Sequence, residues 1–412
     1  MRAQEDASQQ TELPLGKQRQ FQLYAAGQTG WYAAWGVRHV LFPWLIVVVL
    51  NESADRVGVA QMAVLLPSLF FILVGGAVAD RTDLRQLLIR IQWVALVPPL
   101  GLALLILAGQ MSYPVMIGYG LLLGLCTAFV TPARDALLSR IAGDQVQRAV
   151  TIATGLQFGC QIIGITIAGA AVAIGAPALL LIQAGFVAIA LLASWRLMPV
   201  PSMRDPADNG SALHDIADGL KMAWRTPPIL PVILLMIAMG LCFMGWFMVI
   251  LPITIRDIYG GSSPELATAH SCFMAGTVVA TVLILRRGTI RFPGRALTLS
   301  LAATALLLLA SRVAMPLPAY FACVFLFGIL SGVTMAMGRT MVQQAAPVSH
   351  RARLLSVYQL GYLGAAPIGS LLVGFLTAAL GPQAAIPFPA LFLLGAVLLL
   401  TPASRLWAQE SP

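Results

Sequence analysis

Long apolar runs separated by short polar segments make up most of the chain. A helix that spans a bilayer needs about 20 mostly apolar residues, and twelve runs have a comparable length. They lie near residues 23–49, 57–79, 91–109, 114–133, 149–174, 178–195, 229–253, 264–285, 296–314, 319–341, 354–380 and 385–403. The gaps between them leave little room for a soluble domain. The pattern therefore predicts an all-α membrane protein with twelve transmembrane helices.

The longest polar gap divides these helices into two groups of six. We predict an N-terminal bundle over residues 21–196 and a C-terminal bundle over residues 227–403. Residues 197–226 would link them, first as flexible chain and then as an amphipathic helix on the membrane surface. Residues 1–20 and 404–412 are polar tails. The first tail lacks the apolar core and cleavage site of a signal peptide, so the first span is expected to remain as a permanent helix.

The charges are few and unevenly distributed. Of the 412 residues, 59% are hydrophobic and only 10% are charged, whereas soluble proteins carry about 25%. Basic residues collect in alternate loops and both tails, while Arg56, Arg256 and Arg312 fall in the opposite loops and Arg38 lies inside a span. Basic loops stay in the cytoplasm. The net charge of +9 thus predicts two cytoplasmic termini and no nucleic-acid partner.

The two halves of the chain repeat each other at an offset of 205 residues. Six spans per half is an even number, so the repeats would be parallel, and transporters built this way bind substrate near the midplane between their halves. The matching positions are Arg81 and Arg286, Arg90 and Arg295, Arg134 and Arg339, Arg148 and Arg353, and the glycines Gly159, Gly164 and Gly169 with Gly364, Gly369 and Gly374.

Three stretches resemble a known family. GGAVADRTDLRQLL (75–88) resembles the signature between spans 2 and 3 of the major facilitator superfamily. TPARDALLSRIAGDQVQRA (131–149) and PVSHRARLLSVYQLGYLGAAPIGSLLVG (347–374) are similar to elements of its branch of bacterial exporters, which includes the enterobactin exporter and its macrolide-efflux relatives. The likeness runs over residues 20–400. It implies the major facilitator fold, a bacterial inner-membrane location, and secondary active efflux of a siderophore or drug, in some relatives of many drugs.

The charged stretch after span 2 suggests a gate on the cytoplasmic side. Asp80 could face the positive N-terminal end of a helix from the other half, while Arg81 and Arg85 could reach either Asp135 or lipid phosphates. Arg134 and its repeat partner Arg339 complete the predicted gate. Alternatively, these are only turn residues and topology signals. Acidic residues contribute little to topology, so Asp80 is the one that this alternative explains least.

The first span carries the predicted substrate site. Arg38 lies near the midplane, where an ionisable residue is costly and is by default a functional candidate. Gln28, Trp31 and Trp35 share its face at helical spacing, so this face is expected to line a central cavity and to favour an anionic substrate. The alternative is that Arg38 bonds only to carbonyls of neighbouring helices.

Polar residues of the fifth and eleventh spans extend this prediction. Gln157 and Gln161 occupy one helix face, and their repeat equivalents are Gln359 and Tyr362. They would bind substrate from both halves, or else hydrogen-bond between helices at about 1 kcal/mol each. In the same span the spacing of Gly155 and Gly159 predicts a close helix contact.

The coupling group is left open by the sequence. No acidic residue lies in the middle of a predicted span, which leaves His39, His270 and the helix-end residues Asp80 and Asp135 as candidate proton carriers. Histidine changes its charge near neutral pH. Protons are therefore candidate coupling ions.

Other classes of protein are disfavoured. The chain has no phosphate-binding loop of the ATPase type and no HExxH motif, and its five cysteines are scattered one per span. We therefore expect that the protein is not an enzyme and that it binds neither a metal nor a cofactor. The expected partners are a small-molecule substrate and the bilayer, with the protein acting as a monomer. An importer of a small metabolite, or a membrane receptor or assembly factor on the same fold, remains the alternative.

Overall fold

The fold is described from a computed structural model. The described residues are 16, 18–200, 221–222, 229–288, 290–346, 351–403 and 406–408, so the predicted amphipathic linker helix and most of both tails lie outside them. Within these ranges the regular structure is helical and contains no β-strand. Eleven of the described segments are long and apolar enough to cross a membrane. One of them, Tyr113–Ala168, contains two helices, which gives the twelve helices that the hydropathy pattern predicted.

Most of the helices are longer than the apolar runs, because they extend into the polar flanks, whereas α5, α9 and α12 are shorter. In the second half, α7 is continuous from Ile229 to Asp257 through a π-helical turn. The twelve helices are α1 (Arg19–Trp44), α2 (Ala54–Arg81), α3 (Leu84–Leu107), α4 (Tyr113–Ala142), α5 (Val146–Ala168), α6 (Ala176–Arg196), α7 (Ile229–Gly245, extended by Leu251–Asp257), α8 (Ser263–Arg287), α9 (Pro293–Ala310), α10 (Leu317–Ala345), α11 (Arg351–Leu380) and α12 (Pro387–Ala403).

The surface of the helices suits lipid. Large apolar side chains such as Leu104, Leu107 and Leu399 are about 70% exposed, at 67%, 71% and 73%. Contiguous exposed apolar surface of this kind marks an interaction with membrane or protein in place of water. Together with the length of the helices, it shows a multi-pass membrane protein.

The chain forms two compact units that do not coincide with its two halves. One unit comprises Met1–Phe42 and Phe70–Asn209, and the other comprises Pro43–Leu69 and Gly210–Pro412. Residues 43–69, the end of α1 and most of α2, thus pack with the second half. In the first unit α3 packs against α4 and α6, and in the second unit the main pairs are α8 with α10 and α7 with α11.

Each unit contains very close helix crossings made by glycine, and one of those in each unit is related to the other by the sequence repeat. In the first unit a Cβ at Gly164 of α5 would overlap the carbonyl oxygen of Ala33 in α1. In the second unit a Cβ at Gly369 of α11 would overlap the carbonyl oxygen of Leu241 in α7. Gly164 and Gly369 are equivalent at the offset of 205 residues, so the predicted repeat extends to the packing of the helices.

The predicted contact at Gly155 and Gly159 is wrong. A Cβ at either position would meet no atom within 4 Å. The close contact of α5 lies one turn further on, at Gly164, because that is where its backbone meets α1.

Within the second unit, residues of the second half bind the last residue of α1 and the segment that follows it. Arg256, at the end of α7, donates through Nη1 to the carbonyl oxygens of Val47 at 2.7 Å and Glu52 at 3.2 Å. The indole Nε1 of Trp44 donates to Ser262 Oγ at 2.9 Å. A cation at the C-terminal end of a helix also interacts favourably with the helix dipole.

A five-residue π-helical turn follows directly on α1, and a second one interrupts α7. The first covers Leu45–Val49 and the second covers Trp246–Ile250. The wider turn is closed by bonds between residues five apart, from Leu50 N to Leu45 O at 2.8 Å and from Leu251 N to Trp246 O. Such turns are rare and are frequently found at functional sites.

Candidate functional site

A cavity opens inside the first unit among α1, α3, α4 and α6. The space between its walls is about 300 Å³, and part of that space is open to solvent. Most of its lining is apolar or aromatic. The lining residues are Trp31, Ala34, Trp35, Arg38, Ala95, Leu123, Thr127, Gln183 and Val187.

The wall contributed by α1 contains three of the predicted substrate residues. Trp31, Trp35 and Arg38 are spaced four and three residues apart, which places them on one face of the helix. The guanidinium carbon of Arg38 lies 5.6 Å from the centre of the Trp35 ring, within the range of a cation–π contact. In the described part of the chain no carboxylate pairs with Arg38. The cavity therefore presents an uncompensated cation beside two indole rings.

The opposite wall supplies two polar groups that the sequence analysis missed. Gln183 of α6 and Thr127 of α4 line the cavity. Thr127 donates its hydroxyl hydrogen to Leu123 O in its own helix at 2.8 Å. Gln183 could have been noticed in the sequence, since it is an isolated amide in an apolar span. Nothing in the sequence pattern, however, indicated that it lies close to Arg38.

A buried tyrosine holds Gln183. Tyr119 of α4 donates its hydroxyl to Gln183 Oε1 at 2.9 Å, and both residues are buried. The Tyr119 ring stacks on Phe42 with 5.9 Å between ring centres. The amide of Gln183 is therefore held by a hydrogen bond from Tyr119, which does not itself line the cavity.

The fourth predicted residue of the α1 face does not line the cavity. Gln28 is buried and donates through Nε2 to the hydroxyl of Tyr24, one turn earlier, while its Oε1 has no hydrogen-bond partner. Gln28 lies ten residues from Arg38, nearly three turns of helix, so it lies below the cavity on the same stripe.

The predicted glutamines of α5 do not reach the cavity either. Gln161 is buried, and its backbone carbonyl lies where a Cβ at Gly36 would be. Gln157 is half-buried. Their role in binding substrate stays a prediction.

The two predicted residues of α11 belong to the other compact unit. Gln359 is exposed, whereas Tyr362 is half-buried and its carbonyl oxygen packs against Gly240 of α7. Their participation in a cavity shared by both halves also stays a prediction.

The two histidines predicted as candidate proton carriers have different surroundings. The half-buried ring of His39 lies 3.8 Å from the Trp35 ring, adjacent in sequence to Arg38. His270 of α8 is buried, contacts Leu266 O through Nδ1 at 2.8 Å, and packs edge-on against Phe247 at 5.0 Å. Only His39 is close to the cavity.

The predicted gate residues between α2 and α3 are at the helix ends. Asp80 and Arg81 are exposed. Arg85 donates through Nη2 to Trp195 O, at the end of α6, at 2.8 Å. Of the two partners predicted for Arg85, Asp135 is therefore not the one contacted, because the guanidinium is directed at the neighbouring helix end.

The remaining predicted gate residues are in α4 and α10. Arg134 is buried, with its guanidinium 5.3 Å from the Tyr32 ring centre and no hydrogen-bond partner for either Nη atom. Asp135 and Arg339 are exposed. Within the described residues no cluster of His, Cys, Asp and Glu could hold a metal ion.

Comparisons with solved structures identify the fold. A bacterial homolog of the human lysosomal transporter Spinster, in an inward-facing and unoccupied conformation, aligns over 96% of this chain and 99% of its own, at 13% identity and a TM-score of 0.74. The nucleoside transporter NupG covers 95% and 99%, at 13% identity and a TM-score of 0.70. The POT family transporter PepTSo covers 95% and 98%, at 14% identity and a TM-score of 0.69.

Comparison at the level of sequence is more specific. A search of the curated proteins finds no match, but the family model described as "transmembrane secretion effector" matches residues 13–411. Family and structural neighbours are transporters and not enzymes. The chain thus belongs to the transmembrane secretion effector family, and is a membrane transporter of the major facilitator type.

Proposed function

We propose that the protein exports a small amphipathic anion, such as a siderophore or an acidic drug, by alternating access across a bacterial inner membrane. Outward transport is supported by the description of its family as secretion effectors and by the resemblance of its motifs to those of exporters. Both termini would lie in the cytoplasm, as the distribution of basic residues indicates.

The observation that carries the proposal is Arg38. A guanidinium inside the membrane costs several kcal/mol unless a partner compensates it, and none of the described carboxylates does so. An anionic substrate would supply the missing charge through a bidentate hydrogen bond. Trp31 and Trp35 would stack on an aromatic part of the same molecule.

Proton coupling is part of the proposal. His39 touches Trp35 and adjoins Arg38, so a change in its charge would be felt at the substrate site. His270, Asp80 and Asp135 are the other candidates from the sequence. Uptake into inside-out membrane vesicles, with and without an imposed pH gradient, tests both the direction and the coupling ion. Uptake that occurs only into right-side-out vesicles would indicate an importer.

The substrate can be found by comparing secreted metabolites. Mass spectrometry of culture medium from the parent strain and from a strain lacking the gene should show an anionic aromatic compound that disappears on deletion. Media that do not differ under any growth condition would instead favour the receptor or assembly-factor alternative.

Variants of Arg38 test the anion site itself. Arg38→Lys keeps the charge but loses the planar guanidinium, so it should weaken export of the native compound about tenfold. Arg38→Met removes the charge as well and should weaken export about a hundredfold. These factors follow because hydrogen bonds to charged groups contribute roughly 1.5–3 kcal/mol. Arg90→Met, at an exposed position of α3, is the matched control and should transport normally. Normal export by Arg38→Met would assign Arg38 to helix packing.

A further inference from the structure

The hydrogen bond between Tyr119 and Gln183 determines which end of the Gln183 amide is free. An amide has an oxygen with two acceptor sites at one end and an NH₂ group with two donor hydrogens at the other. Because Tyr119 donates to Gln183 Oε1 at 2.9 Å, the oxygen is turned toward the tyrosine and the NH₂ group is turned away from it. The reverse orientation would leave the buried hydroxyl hydrogen of Tyr119 without an acceptor among the described residues, which is costly. Both side chains are nearly fully buried, at 5% and 2% exposure, so water cannot easily replace the bond.

The charged group of the cavity is also a donor. Arg38 carries only donors, and it lines the same cavity as Gln183. With the Gln183 oxygen turned toward Tyr119, the two strongest polar groups in the lining both donate. A ligand group that accepts several hydrogen bonds, such as a carboxylate, would satisfy them together, whereas a primary amide would bring its own NH₂ donor against one of them.

We infer that Tyr119 is a positioning residue for substrate selectivity, and that it makes the cavity select carboxylates over neutral amides by fixing Gln183 as a hydrogen-bond donor. This inference rests on the proposed function, since it refines the anion site built around Arg38. Without the Tyr119 hydroxyl the amide of Gln183 can rotate by half a turn and present its oxygen. The cavity would then accept a donor group as readily as an acceptor.

The test uses two ligands of the same shape, 2,3-dihydroxybenzoate and 2,3-dihydroxybenzamide. Equilibrium dialysis of the purified full-length protein in detergent gives the dissociation constant of each. Wild type should prefer the carboxylate. In Tyr119→Phe the ratio of the two constants should fall about tenfold, since a buried hydrogen bond contributes roughly 1 kcal/mol and its reversal at the ligand contributes a similar amount.

A second variant covers the case in which Tyr119→Phe does not fold. Gln183→Leu removes the donor while leaving Arg38, so carboxylate binding should weaken and amide binding should not improve. Tyr320→Phe removes the hydroxyl of a buried tyrosine in the other compact unit, and Gln92→Leu replaces a buried glutamine of α3 that does not line the cavity. Both controls should keep the wild-type ratio.

The outcomes separate this inference from the proposed function. A wild-type preference for the carboxylate that persists unchanged in Tyr119→Phe and in Gln183→Leu overturns the inference and leaves the anion site standing. Equal binding of both ligands by wild type contradicts the anion site and the inference together. A ratio that falls in both variants and in neither control supports the assignment of Tyr119.

Discussion

Two aspartates three residues apart have different roles in the charged stretch after α2. Asp83 is the N-cap of α3, where its Oδ1 accepts from Gln86 N at 2.9 Å. Asp80 is exposed in the last turn of α2. A cap explains the aspartate at position 83, but it gives no reason for Asp80. Asp80 therefore remains the proposed gate residue.

The gate is tested by exchanging the two carboxylates for amides. Asp80→Asn should slow transport in vesicles about fivefold with unchanged thermal stability, because a carboxylate at a helix N-terminus contributes roughly 1 kcal/mol. Asp83→Asn is the control, since asparagine caps a helix as well as aspartate does, and it should transport normally. A normal rate for Asp80→Asn would make Asp80 a turn residue only.

Single residues were predictable from the sequence where one helix carries them. Trp31, Trp35 and Arg38 share a helix face, so the 3.6-residue period was enough to group them. Gln183 joins them from another helix, and its bond to Tyr119 joins two helices 64 residues apart. Such pairs depend on how helices pack, which no local pattern encodes. Gln28 is not among the residues that line this cavity, because periodicity gives a direction around the helix but no position along it; its role in binding substrate stays a prediction.

At the scale of the helices, the glycine crossings explain how close the paired helices can lie. Gly164→Ala should lower the stability of the protein by roughly 1–3 kcal/mol, because its Cβ would overlap the carbonyl oxygen of Ala33 and the helices would have to separate. Gly159→Ala, five residues away in the same helix, meets no atom within 4 Å. It should be neutral or gain up to about 1 kcal/mol, since alanine is the better helix former.

Thermal unfolding in detergent distinguishes these glycine variants. A lower midpoint for Gly164→Ala and an equal or higher one for Gly159→Ala is expected. Equal midpoints would mean that the crossing of α1 and α5 can relax without loss. The sequence showed that Gly159, Gly164 and Gly169 recur in the second half. It did not show which of these glycines makes the close contact, because that depends on where two helix axes come closest.

For the whole molecule, the orientation in the membrane is the main prediction still to be tested. In a variant without its native cysteines, single cysteines at Gln110 and Arg312 should react with an impermeant thiol reagent added to intact cells. Cysteines at Asp144 and Arg286 should react only after the membrane is opened. All four positions are exposed, so burial does not confound the comparison. The reverse pattern would invert the topology.

The number of helices and the fold class were predictable from hydropathy, because a bilayer imposes helix length directly. The ends of the helices were less predictable, since helices such as α2 and α4 continue into polar sequence. The grouping of residues 43–69 with the second half was not predictable. It depends on contacts between segments about 200 residues apart, such as that of Arg256 with Val47.

The π-helical turns make chain length important at the end of α1. A π-helical turn contains one residue more than an ordinary α-helical turn, and each residue of an α-helix rotates the chain by about 100° about the helix axis. Val47 lies within the turn that follows α1, and Arg256 lies six residues beyond the turn of α7. Deleting one residue from the α7 turn would rotate Arg256 to another side of its helix with every side chain intact. At these two places relatives of this protein should therefore tolerate substitutions far better than insertions or deletions.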